Sequence, residues 1–160
     1  MPVEIERKFL VDNDDWRIAI NQTTHLMDGL IALTNGRKVR VRVYPDRATL
    51  TVKGRRKKSS RDEYEYLIPR PDALEMLSKL CGGNVVEKTR HTLLHGPDEW
   101  VVDVYHGLLD GIVLAEIELK SVADVFDRPQ WLGREVTEDE DYRKINMVKA
   151  RRKAAKSRKG

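Results

Sequence analysis

The 160-residue chain has a single cysteine, Cys81, so no disulfide can form within it and a staple-dependent secreted fold is excluded. No apolar run approaches the ~20 residues a bilayer-spanning helix needs, so no membrane partner is expected. Charge begins at Glu4, where a secretory leader would need its apolar stretch, and a cytoplasmic setting is the expectation. Aromatic residues are scarce at 6%, and the pattern offers no evident stacking pocket for a large organic group.

Charge is abundant at 35% of residues, and it is unevenly distributed. Residues 149–160, KARRKAAKSRKG, hold seven Lys or Arg and no acid, which leaves 23 basic against 26 acidic residues for the rest. The formal charge of +4 therefore belongs to a tail, and the body is near −3. The division expected is one domain over 1–148 and a solvated basic tail over 149–160. Such a tail suits electrostatic contact with nucleic acid or polyphosphate. A length of 160 residues suffices for one sizeable core.

Strand-like segments recur between turn signals. VEIERKFLV at 3–11 alternates with period two, and VRVRVYPDRATLTVKG reads as strands 39–44 and 48–53 joined at Pro45-Asp46. DEYEYLI at 62–68, VVEKTRHTLL at 85–94, WVVDVY at 100–105 and IVLAEIELK around 113–120 read the same way. A helix is expected where Pro71 and Asp72 open an apolar-periodic stretch that Gly82 stops. A second is expected over 13–21, a short helix or turn at DRPQWLG, and helix from 139 into the tail. Many antiparallel strands with few helices predict a single α+β, mainly β or barrel-like domain.

Parity within these strands carries the functional signal. Glu4, Glu6 and Lys8 share one face of 3–11, while most of the opposite face is apolar. Arg40 and Arg42 oppose valines at 39, 41 and 43; Thr49, Thr51 and Lys53 oppose Leu50 and Val52. Glu63 and Glu65, Lys88 and Arg90, Asp103, and Glu116, Glu118 and Lys120 repeat the pattern. A solvated sheet face normally mixes Ser, Thr, Asn and Gln with charge; these faces are almost wholly ionic. Like charges two apart on a strand lie about 6.5–7 Å from one another and repel, which makes sense if a bound species neutralises them. Paired carboxylates suit hard divalent cations, and paired guanidinium and ammonium groups suit phosphate oxygens. A closed barrel with both sets in its lumen and helices outside would bind a metal polyphosphate. The histidines His25, His91, His95 and His106 lack ligand spacing and are expected to be structural.

These motifs resemble the CYTH superfamily of triphosphate tunnel metalloenzymes. EIERKFLV is similar to the family's opening ExExK motif, and VRVRV, TVKG, EYEYLIP, VVEKTRH, WVVDVYHG, LAEIELKS and PQWLGREVTEDEDY follow in order. The resemblance covers residues 3 to about 146. It implies a closed eight-stranded antiparallel tunnel and dependence on Mg²⁺ or Mn²⁺. The implied substrate is a small molecule bearing a triphosphate, in this branch inorganic triphosphate hydrolysed to pyrophosphate and phosphate. Other branches act as adenylate cyclases or thiamine triphosphatases, and a non-catalytic polyphosphate- or nucleotide-binding module is a further alternative. Carried over, Glu4, Glu6, Glu63, Glu65, Asp103, Glu116 and Glu118 would hold metal. Lys8, Arg40, Arg42, Lys53, Lys88 and Arg90 would bind the phosphates, with Glu4, Glu6 and Lys88 acting in catalysis. Arg55 and Lys120 have matching parity near strand ends. Several bacterial relatives have Gln-Gly-Tyr-Leu in the second segment; here MDGLIA puts Leu30 at the tyrosine position. The resemblance thus implies slower hydrolysis in this chain.

Overall fold

The computed structural model describes residues 3–158. Nine strands follow in order: β1 Val3–Val11, β2 Ile20–Thr34, β3 Arg37–Val43, β4 Ala48–Lys53, β5 Ser60–Ile68, β6 Val85–His95, β7 Asp98–Tyr105, β8 Val113–Glu118 and β9 Leu132–Glu135. Two α-helices join them, α1 Arg70–Lys79 between β5 and β6 and α2 Lys144–Arg158 after β9. Among the described residues no helix is long and apolar enough to cross a membrane.

The pairing order β5-β4-β3-β2-β6-β7-β8-β1-β9, with β5 also on β1, closes eight antiparallel strands into a ring. The mainly β, α+β tunnel architecture is as expected. The closing seam has a particular build. Along one edge β1 pairs with β8 over Glu6–Leu10. The other edge is divided: β5 takes Val3–Ile5, and β9 pairs at Phe9 and Val11. Val136 N donates to Lys8 O (2.7 Å) and Lys8 N to Thr137 Oγ1 (2.9 Å), so the chain after β9 fills the edge that β5 leaves.

Local chemistry explains the turns and helices. The β2–β3 hairpin turns on Asn35 and Gly36, with φ of 53° and 78°, the Asn-Gly pair that tolerates two left-handed residues. Pro71 lies in the first turn of α1, where a missing N–H costs little. Gly29 lets α1 approach β2: a Cβ there would come within 2.5 Å of Cys81 Sγ and 2.6 Å of Leu77.

One expected element differs, and another takes one of its two expected forms. The segment expected to be helical over 13–21 is a single short 3₁₀ turn, Asp15–Ala19, after which β2 begins. Trp16 is buried there and anchors the turn on the wall, while the residues around it follow the strand. Of DRPQWLG, expected to be a short helix or turn, the turn forms, with Leu132 N donating to Pro129 O (3.1 Å), and Leu132 and Gly133 then open β9, which pairs with the free edge of β1 at Val11 and Phe9. From Lys144 the chain is helical as expected, and as far as Arg158 the basic stretch continues α2. Arg151 donates to Asp110 O (3.0 Å) and Arg152 to Asn84 Oδ1 (3.3 Å), which tie this stretch to the body. Lys159 and Gly160, the end of the expected tail, lie outside the described residues.

Two of the apolar clusters sit outside the ring, the reverse of a small filled barrel. Phe9, Trp16, Trp100, Trp131 and Leu132 form one on the β1–β8–β7–β6 side. Val41, Val43, Ala48 and Leu77 form another beneath α1. The third group contains Val86, Tyr105 and Leu114, which share parity with the lumen residues Lys88, Asp103 and Glu116. These pack with Met147 and Val148 of α2. The helix therefore stoppers one end of the tunnel with its own apolar residues.

Candidate active site

The ring encloses a cavity of about 1110 Å³. Of the residues marked by parity in the sequence, Glu4, Glu6, Lys8, Arg40, Arg42, Lys53, Glu63, Glu65, Lys88, Arg90, Glu116 and Glu118 line it. Arg55 lines it too, and none of the four histidines does. His25 meets Glu87 (2.7 Å) and His106 meets Thr89 (2.6 Å), both away from the cavity.

Four carboxylates gather on one side. Glu4 contacts Lys53 Nζ (3.1 Å) and Arg61 Nε (3.1 Å), and Glu63 also meets Lys53 Nζ (3.2 Å). Glu6 meets Arg56 (3.3 Å) and lies opposite Glu118 in the β1–β8 pairing. Glu118 makes no ion pair among the described residues. Burial first, then the charges of Glu4, Glu6 and Glu63, push its carboxyl above the usual glutamate value. A divalent cation would relieve that repulsion, and all-oxygen donors are the chemistry Mg²⁺ and Mn²⁺ accept. Among the described residues no three such groups are drawn tightly enough to enclose an ion, since Lys53, Arg56 and Arg61 occupy the carboxylates. Glu65 accepts from Thr51 Oγ1 (3.3 Å), and Glu116 pairs loosely with Lys8 (3.8 Å).

Asp103 stands apart from the other acids. It is fully buried, with Lys88 Nζ at 2.8 Å and Arg90 bonded through Nε (2.8 Å) and a terminal nitrogen (2.9 Å). Both its oxygens are occupied by cations, so its place is to hold Lys88 and Arg90 in position. Burial alone would raise its pKa, but Lys88 and Arg90 outweigh that and hold it far below the usual carboxylate range. Lys88 is wholly buried, and burial pulls its ammonium below the ordinary lysine value against the attraction of Asp103.

Asp28 plays the same part for Arg42 and was not marked in the sequence. Only 2% exposed, it accepts from Arg42 Nε (2.6 Å) and Nη2 (2.9 Å) and from Lys144 Nζ (2.6 Å), with Lys88 Nζ at 3.6 Å. Burial opposes its ionisation, yet these cations keep its carboxyl well below the usual value. Lys144 is the first residue of α2, so the stopper helix contributes a cation to the cavity. Lys38, Arg56 and Arg61 also line the cavity and were also unmarked. Of these, Lys38 continues the parity of Arg40 and Arg42, and Arg61 that of Glu63 and Glu65, so both were legible; Arg56 falls within the polar stretch GRRKKSSR ahead of β5, where no periodicity exists. Leu30 lines the cavity directly opposite Arg40.

The family model for the CYTH domain matches residues 2–153. An inorganic triphosphatase of Acetivibrio thermocellus is 42% identical over 149 residues, covering 93% of this chain and 95% of that protein. An inorganic triphosphatase of Nitrosomonas europaea is 35% identical over 147 residues, covering 88% of this chain and 93% of that protein. A crystal structure of an inorganic triphosphatase superposes with a TM-score of 0.64 at 32% identity, covering 91% of this chain and 97% of the other.

Proposed function

This chain belongs to the CYTH domain family, and from that premise we propose that it hydrolyses inorganic triphosphate to pyrophosphate and phosphate within the tunnel. The observation that carries the reading is one enclosed cavity lined by both a carboxylate cluster and a set of cations, on a chain similar along nearly its whole length to inorganic triphosphatases.

Glu4, Glu6, Glu63, Glu65, Glu116 and Glu118 would hold Mg²⁺ or Mn²⁺. A bound divalent ion supplies charge neutralisation at the phosphoryl oxygens and a more acidic water. Lys8, Arg40, Arg42, Lys53, Lys88 and Arg90 hold the phosphate oxygens, fixing the chain for in-line attack at a terminal phosphorus. Glu4 and Glu6 orient the water, whose oxygen bonds to phosphorus as the bridging P–O bond breaks and whose proton passes to the solvent. The electron pair of that bond stays with the leaving pyrophosphate. Lys88, beside Arg90 and braced by Asp103, stabilises the charge that grows there.

The test is phosphate release from inorganic triphosphate, ATP and thiamine triphosphate with Mg²⁺, Mn²⁺ or chelator. The expected result is metal-dependent release, fastest from inorganic triphosphate. Tight binding of triphosphate without turnover would make the chain a polyphosphate-binding module. Faster turnover of an organic triphosphate would reassign the substrate.

A further inference from the structure

Three cavity-lining cations stand two residues apart on β3: Lys38, Arg40 and Arg42. Arg42 is bonded to Asp28 on two sides. Arg40 reaches only Thr51 Oγ1 (3.3 Å), and its Nε is buried without a partner. Lys38 has neither a side-chain hydrogen bond nor an ion pair among the described residues.

Its neighbours explain why this matters. Directly across on β4 is Lys53, already engaged by Glu4 and Glu63, and directly across on β2 is Leu33. The charges that act most on Lys38 are those of Arg61 of β5, Lys53 of β4, Lys8 of β1 and Arg40 of its own strand, all cations; the carboxylates beyond them are already paired, Glu4 to Lys53 and Arg61, Glu63 to Lys53 and Glu116 to Lys8. Like charges opposed across a sheet are unfavourable, and an enclosed ammonium with no counter-ion more so. Burial first, and then these four cations, pull Lys38 down to about 6.

We propose that Lys38 is a proton-linked phosphate ligand: its amine is neutral in the empty tunnel, takes a proton as the triphosphate enters, and then donates to a phosphate oxygen. This rests on the triphosphate reading of the cavity and adds a residue and a proton to it. The entering polyanion adds negative charge beyond what Glu4, Glu63 and Glu116 give the surrounding cations, so the local field on Lys38 turns toward the ammonium form. The nitrogen lone pair takes its proton from the solvent buffer, and no other bond changes. Near pH 5 the amine is already charged in the free protein, so the uptake belongs to neutral and mildly alkaline pH.

The experiment is calorimetric titration of the full chain with imidotriphosphate, a nitrogen-bridged analogue that resists hydrolysis, in Mg²⁺ at pH 7.5. Two buffers of different ionisation enthalpy report the protons taken up. The expected result is that the native chain takes up about one proton more per bound molecule than Lys38→Met, with the excess gone near pH 5. Lys38→Met should bind about 10-fold more weakly, as for loss of a charged hydrogen bond. Lys38→Arg, charged at every pH used, should bind well without the extra uptake. Equal uptake in the native chain and Lys38→Met would overturn the proposal while leaving the triphosphate reading intact. No binding by the native chain would overturn that reading instead.

Discussion

Lys144 Nζ lies 2.6 Å from Asp28 Oδ2, which ties the first turn of the C-terminal helix to the tunnel wall where Arg42 is also bound. One buried carboxylate thus joins β2, β3 and α2 through charge. With Asp28 neutral, Arg42 and Lys144 would be left side by side in a low-dielectric setting.

Asp28→Asn keeps the shape and removes the charge. Stability should fall by about 3–5 kcal/mol, the range for breaking one side of a buried ion pair, as read by urea denaturation. Lys144→Met leaves the Asp28–Arg42 pair and should cost much less. Equal losses would mean that the helix, and not the charge of Asp28, dominates.

Acid should act through the same carboxylates. Asp28 and Asp103 both have folded pKa values held below the ordinary 3.8 by cations that outweigh burial. Their stabilisation is therefore complete above that value and is lost as pH falls below it toward the folded values. Urea midpoints should be level from pH 6 to 5 and drop from pH 4 to 3. Asp103→Asn should be less stable at pH 6 and show a shallower drop.

Glu118→Gln should separate stability from activity. The native carboxylate is opposed by Glu4, Glu6 and Glu63 and its pKa is raised, so above the ordinary 4.5 its charge weakens the metal-free protein. Removing that charge should not lower the melting temperature measured in chelator. Metal-dependent release of phosphate should nonetheless fall at least ~100-fold, as for lost metal-site support. Normal turnover in this variant would exclude Glu118 from the metal set.

Leu30 faces the cavity opposite Arg40 and cannot hydrogen-bond to phosphate or water. Leu30→Tyr adds a hydroxyl on that wall, and a positioned proton donor contributes ~10²–10⁴-fold in rate at best. Turnover should rise with a smaller change in KM, measured at saturating metal. A slower variant would mean that this part of the wall does not meet the reacting phosphate.

Much of the site was legible because a strand reports its face by parity. Glu4 with Glu6, Arg40 with Arg42, and Glu116 with Glu118 are two apart, so one choice of face places both members of each pair. β2 was lost for the converse reason. Its pairing shifts between Leu30 and Ala32, and Gly29–Leu33 is apolar without alternation, so neither the strand nor Asp28 could be read from period two. β9 is four residues long and exists because β1 has a vacant edge, which is a tertiary fact. Lys144 sits on a helix, and nothing in helical periodicity tells that its first turn closes a tunnel.

The divided edge of β1 also bears on the order of synthesis. Glu6 pairs with Glu118 and Val11 with Leu132, so beyond the Val3–Ile5 ladder on β5 this strand finds its partners only once residues 118 and 132 have been made. Pairing this distant in sequence forms slowly and leaves an open strand in the meantime. Glu4, Glu6 and Lys8 keep that waiting strand from being flat and apolar, so the charges that line the tunnel also guard the nascent chain against edge-to-edge association. Ribosome-bound chains arrested before residue 118 emerges should exchange the amides of residues 6–11 freely, and chains long enough to expose residue 135 should protect them.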